Sequence, residues 1–283
     1  MGSPARDGEW LARLERLDIA VRRLAHGSAG GDEATPRRGT GLHFKDHRSY
    51  SPGDDPRRLD WNAWMRLGEL LIRETEAEET PRLLLLPDFS ASMSAGDSVK
   101  GECARELALC LGAVALLRQM EVVLQPLGRR EVSAPLRGRH QLAAWVAMLE
   151  GTDLPSREKS VRSQRPGLAV LITDLFGREV VDEVRRLARE KAEVQVIHLR
   201  DPEDLDPPGG ERVILVDAEE GARIEARIDA ATRRSWCRVV EEQFESLAHE
   251  LRALGALVTT FNARDGAEEI LLELARRGAL VRR

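Results

Sequence analysis

Five short apolar runs, RLLLLPD, EVVLQPL, LAVLITDL, EVQVIHL and ALVTTF, constrain this 283-residue chain more than any other feature. Each has the length of a single strand. Stretches with helical periodicity lie between and after them, over 97–119, 140–150, 178–191, 231–254 and 266–277. A strand that is apolar along its whole length needs cover on both faces. Alternation with helices therefore predicts an α/β fold, a mostly parallel central sheet with helices on either side.

The other segments are arranged around that layout. Residues 8–26 space Trp10, Leu11, Leu14, Leu17, Ile19 and Leu24 as one amphipathic helix, and 26–41 form a Gly-rich polar linker. Residues up to Tyr50 alternate as a strand, 51–55 turn, and a short helix and a second strand near 69–75 follow. REVSAPL (130–136) predicts a short strand beside 121–127, and 211–229 predicts a β-hairpin, inserted near 205–229. We expect residues 1–80 to be an N-terminal extension packing on an α/β domain of 81–283. About 80 residues, partly linker, would make a thin core of their own.

Composition narrows the partners. The net charge of −5 gives no general pull toward nucleic acid or anionic lipid. Three cysteines, Cys103, Cys110 and Cys237, have neither disulfide-framework nor zinc spacing. Cys103 and Cys110 should share the apolar face of one helix as buried thiols. The histidines are scattered, and His43 and His47 lie on a strand or turn, where their spacing does not make a metal pair. No run approaches the roughly 18 apolar residues of a membrane span, and the amphipathic N-terminus carries acids, unlike a signal peptide. The expectation is a soluble, cytoplasmic protein.

The chemistry gathers at strand ends. Ligands of open α/β sheets bind outside the carboxyl ends of strands, where the strand order reverses. Two of the apolar runs end in an acid, Asp88 and Asp174, and LEGTDLPS between them offers Thr152 and Asp153. Each acid alone could simply cap the next helix. Asp88 is followed, however, by Ser90 and Ser92, and side chains at alternate positions of an extended segment point the same way. Three converging oxygens suit a hard cation such as Mg²⁺, which takes oxygen ligands in an octahedron and usually keeps some waters. Two buried carboxylates side by side would also repel without a cation.

The pattern Asp88-x-Ser90-x-Ser92, Thr152, Asp174 resembles the metal-ion-dependent adhesion site of von Willebrand factor A domains. The resemblance implies a Rossmann-like von Willebrand factor A fold holding Mg²⁺ (or Mn²⁺ or Ca²⁺). It makes Ser90, Ser92 and Thr152 direct ligands and gives Asp88 and Asp174 supporting roles. A partner's acidic residue would fill the sixth position. Upstream, FKDHRSYSPGDDPRRLDWNAWMRLGELLIRE resembles the signature of the bacterial domain of unknown function 58 family through Arg48, Tyr50, Gly53, Asp54, Asp55, Arg58, Asp60, Trp61 and Arg66. That resemblance spans roughly residues 37–270. Many members carry membrane helices near the N-terminus, and this sequence shows none. The family's association with MoxR-type AAA+ ATPases implies a non-enzymatic adaptor in protein remodelling or complex maturation.

The signature also has a structural reading. Asp54, Asp55, Arg58 and Asp60 can build a capped turn, and Trp61 and Trp64 can share one helix face that packs on the sheet. Two alternatives to the adaptor stand beside it: a scaffold whose docking needs no metal, and a metal-dependent hydrolase. The haloacid-dehalogenase pattern needs a second acid where Ser90 stands, and no phosphate-binding GxxxxGK[ST] or nucleophile-elbow GxSxG stretch is present.

Overall fold

The structure is a computed structural model that describes residues 8–19, 43–51, 59–76, 81–95, 97–151, 167–205, 209–219, 221–277 and 281–282. The chain falls into two compact units, residues 28–80 and a larger unit formed by 1–27 with 81–283. The larger unit resumes at residue 81, and the first 27 residues group with it.

In the larger unit a six-stranded sheet is built from β4 (Arg82–Pro87), β5 (Glu121–Leu124), β6 (Leu136–Arg137), β7 (Leu168–Thr173), β8 (Glu193–Arg200) and β11 (Leu257–Asn262). The strand order is β11-β8-β7-β4-β5-β6, parallel throughout except for β6. This is a Rossmann-like α/β architecture. The chain leaves β4 for β5 on one side and later returns to β7 on the other. The strand order therefore reverses between β4 and β7, the two strands that end at Asp88 and Asp174.

Side-chain alternation along these strands feeds two cores. Leu83 and Leu85 of β4 face α3 (Lys100–Leu117), α4 (Leu142–Glu150) and α8 (Gly266–Arg277). Leu84 and Leu86 face α5 (Glu179–Arg189) and α7 (Ala230–Ala253). Burying each such leucine contributes about 1.5–3 kcal/mol, which is why the run carries no polar residue before its end. Helix α3 is buried nearly all the way round, and the thiols of Cys103 and Cys110 are buried on it, as expected. At Gly112 of α3 a side chain would collide with the Trp145 ring of α4, whose indole N–H donates to the Leu109 carbonyl at 3.1 Å.

Two sequence expectations are revised. The N-terminal helix, α1, covers only Gly8–Leu14. Beyond it Leu17 still enters the core, but Asp18–Ile19 form a short strand, β1, antiparallel to β12 (Val281–Arg282). The strand expected over 130–136 is confined to β6. Pro135 has no N–H to give a ladder, while Ser133 donates its N–H to the Leu124 carbonyl at 2.8 Å and accepts the Leu124 N–H with its hydroxyl at 2.9 Å. The expected hairpin is present as β9 (Gly210–Val216) and β10 (Arg223–Ile228), preceded by the single-turn α6 (Pro202–Leu205). No described helix is long and apolar enough to cross a membrane.

The smaller unit carries the antiparallel pair β2 (His43–Ser49) and β3 (Leu71–Glu76), with α2 (Trp61–Leu67) between them in sequence. Asp60 is buried and caps α2, accepting from the Asn62 and Ala63 N–H groups at 3.0 and 3.1 Å. Gly68 ends the helix at φ +71°, a conformation that glycine adopts without strain. The cap expected of Asp60 is therefore real. Trp61 and Trp64 share one side of α2, as their spacing suggests, and meet each other edge to face at 6.1 Å. Helical spacing puts two such rings together without saying what lies opposite them. Arg66 is exposed in the last turn of α2, Tyr50 donates its N–H to Leu70, and Arg48 lies in β2. Gly53, Asp54, Asp55 and Arg58 lie outside the described residues.

Candidate cation-binding site at the strand-order reversal

Asp88 follows β4 and continues its ladder, with its N–H donating to Ile172 of β7 at 2.8 Å. Its side chain is 8% exposed and held by two neutral donors. One carboxylate oxygen accepts from the Ser90 N–H and the other from the Thr173 hydroxyl, both at 2.9 Å. Burial raises the Asp88 carboxyl above the ordinary carboxylate range. The Ser90 and Thr173 hydrogen bonds oppose that shift, and the negative charge of Asp174 adds to it.

Ser90 is extended, and the chain then enters a 3₁₀ turn over Ala91–Ser94. Ser92 therefore does not sit on a continuing strand, as alternate spacing suggests; the tight turn brings it round instead. The two hydroxyls still converge, with Ser90 Oγ 3.1 Å from Ser92 Oγ. The buried Met93 anchors the turn below, and Gly101 lets α3 approach it closely, since a side chain there would meet the Ser94 hydroxyl and the Met93 carbonyl. Thr152 and Asp153 lie outside the described residues.

Asp174 is 1% exposed and already paired. One of its oxygens accepts from Lys100 Nζ at 3.0 Å, and the other faces the Phe176 N–H at 3.3 Å. Lys100, the first residue of α3, is 2% exposed; it also donates to Asp204 of α6 at 2.8 Å and lies over the Phe176 ring at 5.2 Å. Burial alone would lower the Lys100 pKa. The charge of Asp174 and the hydrogen bond and charge of Asp204 outweigh it and raise the pKa, so the ammonium is held. Asp204 is fixed in turn, since its second oxygen accepts the Asp201 N–H at 2.9 Å and its carbonyl takes the Trp236 indole N–H at 3.0 Å. His198, buried on β8, contacts Thr260 at 3.3 Å. Burial and then the charge of Arg200 push its pKa down to about 4, so it is neutral at physiological pH.

From outside the sequence motif comes Glu219, at the tip of the β9–β10 hairpin. Its Oε1 accepts the Ser92 N–H at 2.9 Å.

A hard divalent cation fits the Asp88 half of this arrangement. Neighbouring oxygens around an octahedral Mg²⁺, with bonds of about 2.1 Å, lie about 3.0 Å apart, close to the Ser90–Ser92 separation. No cluster of three or more His, Cys, Asp or Glu exists among the described residues. The donors at hand are thus hydroxyls and single carboxylates, which suit Mg²⁺ rather than zinc. Asp174 fits only as a carboxylate shared with Lys100. Sequence reasoning missed Lys100, Thr173, Asp204 and Glu219. A clue to Lys100 was available: among 43 basic residues only Lys45, Lys100, Lys159 and Lys191 are lysines, and Lys100 stands where the helix after the motif begins.

Residues 46–246 match the family described as "Protein of unknown function DUF58". The chain belongs to that family. Uncharacterised proteins of Mycobacterium bovis and Mycobacterium tuberculosis are 29% identical to it over 297 aligned positions, covering 97% of this chain and 92% of theirs. An uncharacterised Mycobacterium avium protein is 32% identical over 42% of this chain and 73% of its own length. Among solved structures, the conserved hypothetical protein BatB of Bacteroides thetaiotaomicron aligns with a TM-score of 0.38 and 19% identity, covering 70% of this chain and 98% of that one. An aerotolerance-related membrane protein of Bacteroides fragilis aligns at 0.35 and 16%, covering 69% and 99%. Alignments at this level carry no weight for function.

Proposed function

We propose that this DUF58 chain is a von Willebrand factor A-like, cation-dependent protein-interaction domain with no catalysis of its own. The observation that carries the reading is the Ser90–Ser92 hydroxyl pair, 3.1 Å apart, beside a buried carboxylate bonded by neutral donors at the strand-order reversal. Asp88, Ser90 and Ser92 would hold Mg²⁺ with Thr152, and Asp174 would support it. When bound, the cation supplies a Lewis-acidic position that accepts a carboxylate from a partner. The protein's own groups align the hydroxyls and keep the Asp88 carboxylate oriented. What supports the partner, a MoxR-type AAA+ ATPase, is the family resemblance, and the adaptor role in remodelling or complex maturation rests on it. A cytoplasmic site of action belongs to the same reading, resting on the small, odd number of cysteines in the sequence.

Lys100 favours a second reading, a scaffold that docks without metal. Its ammonium already neutralises the carboxylate that would stand across the site.

Calorimetric titration with Mg²⁺ and Mn²⁺ separates the two. The cation-dependent reading expects binding to the wild type and its loss in Ser90→Ala at unchanged circular dichroism. The AAA+ ATPase should then bind the wild type in Mg²⁺ and fail to bind Asp88→Ala or Ser90→Ala. Equal ATPase binding by all three proteins with and without chelator would sink the cation-dependent reading in favour of the scaffold.

A further inference from the structure

The hairpin tip is built to present one carboxylate. The Asp217 side chain accepts the Glu219 N–H at 2.9 Å, and the Asp217 backbone closes the turn with the N–H of Gly221 and the carbonyl of Ala222, at 3.0 and 2.8 Å. Gly221 sits at φ +70° and completes the reversal. The tip thereby places Glu219 against a residue 127 positions away in sequence, Ser92. The contact is exposed, so water could satisfy the Ser92 N–H equally well, and folding gains little from it. The hairpin edge holds further exposed acids, including Glu225, yet among the described residues Glu219 is the one set on the turn that carries the serine hydroxyls. In Ser92 the backbone nitrogen and the hydroxyl are separated only by Cα and Cβ. A carboxylate bonded to the first is therefore within a short side-chain rotation of a cation bound at the second.

We propose that Glu219 is this chain's own carboxylate for the cation site, an internal occupant of the position that a partner's acid would take. The inference rests on the cation-dependent reading above. An outside carboxylate then has to displace the Glu219 side chain, so access to the cation is a competition with Glu219.

The test is calorimetric titration of the full chain with Mn²⁺ alone, on wild type, Glu219→Gln, Glu225→Gln and Ser90→Ala. Glu225→Gln removes the same charge from the same hairpin, but from mid-strand opposite Ile214 and away from the tip. The expected result is that Glu219→Gln binds Mn²⁺ about tenfold more weakly than wild type, about 1.4 kcal/mol, while Glu225→Gln changes it by less than about twofold. Equal loss in both glutamine variants would mean a general field effect and would overturn the inference. So would wild-type or tighter affinity in Glu219→Gln. In either case loss of binding in Ser90→Ala leaves the cation site standing. If no variant, wild type included, binds Mn²⁺, the cation-dependent reading fails and takes this inference with it.

Discussion

Asp88 and Asp174 end neighbouring strands of one sheet, both buried, and they are satisfied in opposite ways. Asp174 is ion-paired with Lys100, which Asp204 holds from the far side. Asp88 is bonded by a backbone N–H and a hydroxyl, with two more hydroxyls a turn away. One half of the site is an ion-paired triad, two carboxylates around one ammonium; the other keeps a buried negative charge that neutral dipoles only partly offset. The contrast teaches where an outside cation has something to gain. At Asp174 it would displace an ammonium from good geometry, whereas at Asp88 it would relieve the cost of burial that already raises that carboxyl's pKa.

The largest expected effect comes from breaking the ion-paired half. Lys100→Met leaves Asp174 and Asp204 without their shared cation and should cost about 3–5 kcal/mol in urea denaturation. A loss under about 1 kcal/mol would mean that the two halves are alike.

Next is acidification. His198 has a native pKa of about 4 against an ordinary value of 6.5, so the unfolded chain takes up its proton first. Its contribution to stability is fully present above pH 6.5 and is lost as pH falls toward 4, by about 3 kcal/mol in all. His198→Gln should flatten denaturation midpoints across that window. Unchanged pH dependence would place the acid sensitivity elsewhere.

The smallest effect concerns Asp88. Its raised native pKa means that its ionisation costs stability as pH rises through that value. Asp88→Asn should therefore raise the Tm of the cation-free protein by a few degrees at pH 7, with the difference vanishing at pH values below the carboxylate range. A lower Tm at pH 7 would show that Asp88 is already as well satisfied as Asp174.

The α/β layout was legible because each central strand is apolar on both faces, a pattern that few other structures tolerate. Asp88, Ser90, Ser92 and Asp174 were legible for a related reason: polar groups at the end of such a run need a purpose. The structure brings these four to the same end of β4 and β7. Helix α1 was overread because Leu17 keeps helical spacing from Leu14 while the backbone beyond it has left the helix for β1. Lys100, Asp204 and Glu219 escaped because each reaches the site from a distant element. A buried lysine is written in sequence like an exposed one, and an acid in a hairpin tip looks like any turn residue. Only the topology that folds α6 and the hairpin back toward the motif reveals them.

Lys100 also bears on how durable the domain is. A bound metal ion has an off-rate and can be stripped by a chelator; an ammonium carried on the chain can be neither exchanged nor washed away. The Asp174 side of the pocket is thus independent of the ionic contents of its surroundings. Treatment with a chelator should leave the sheet and its helices assembled, with the cation-dependent chemistry confined to a turn of a few residues.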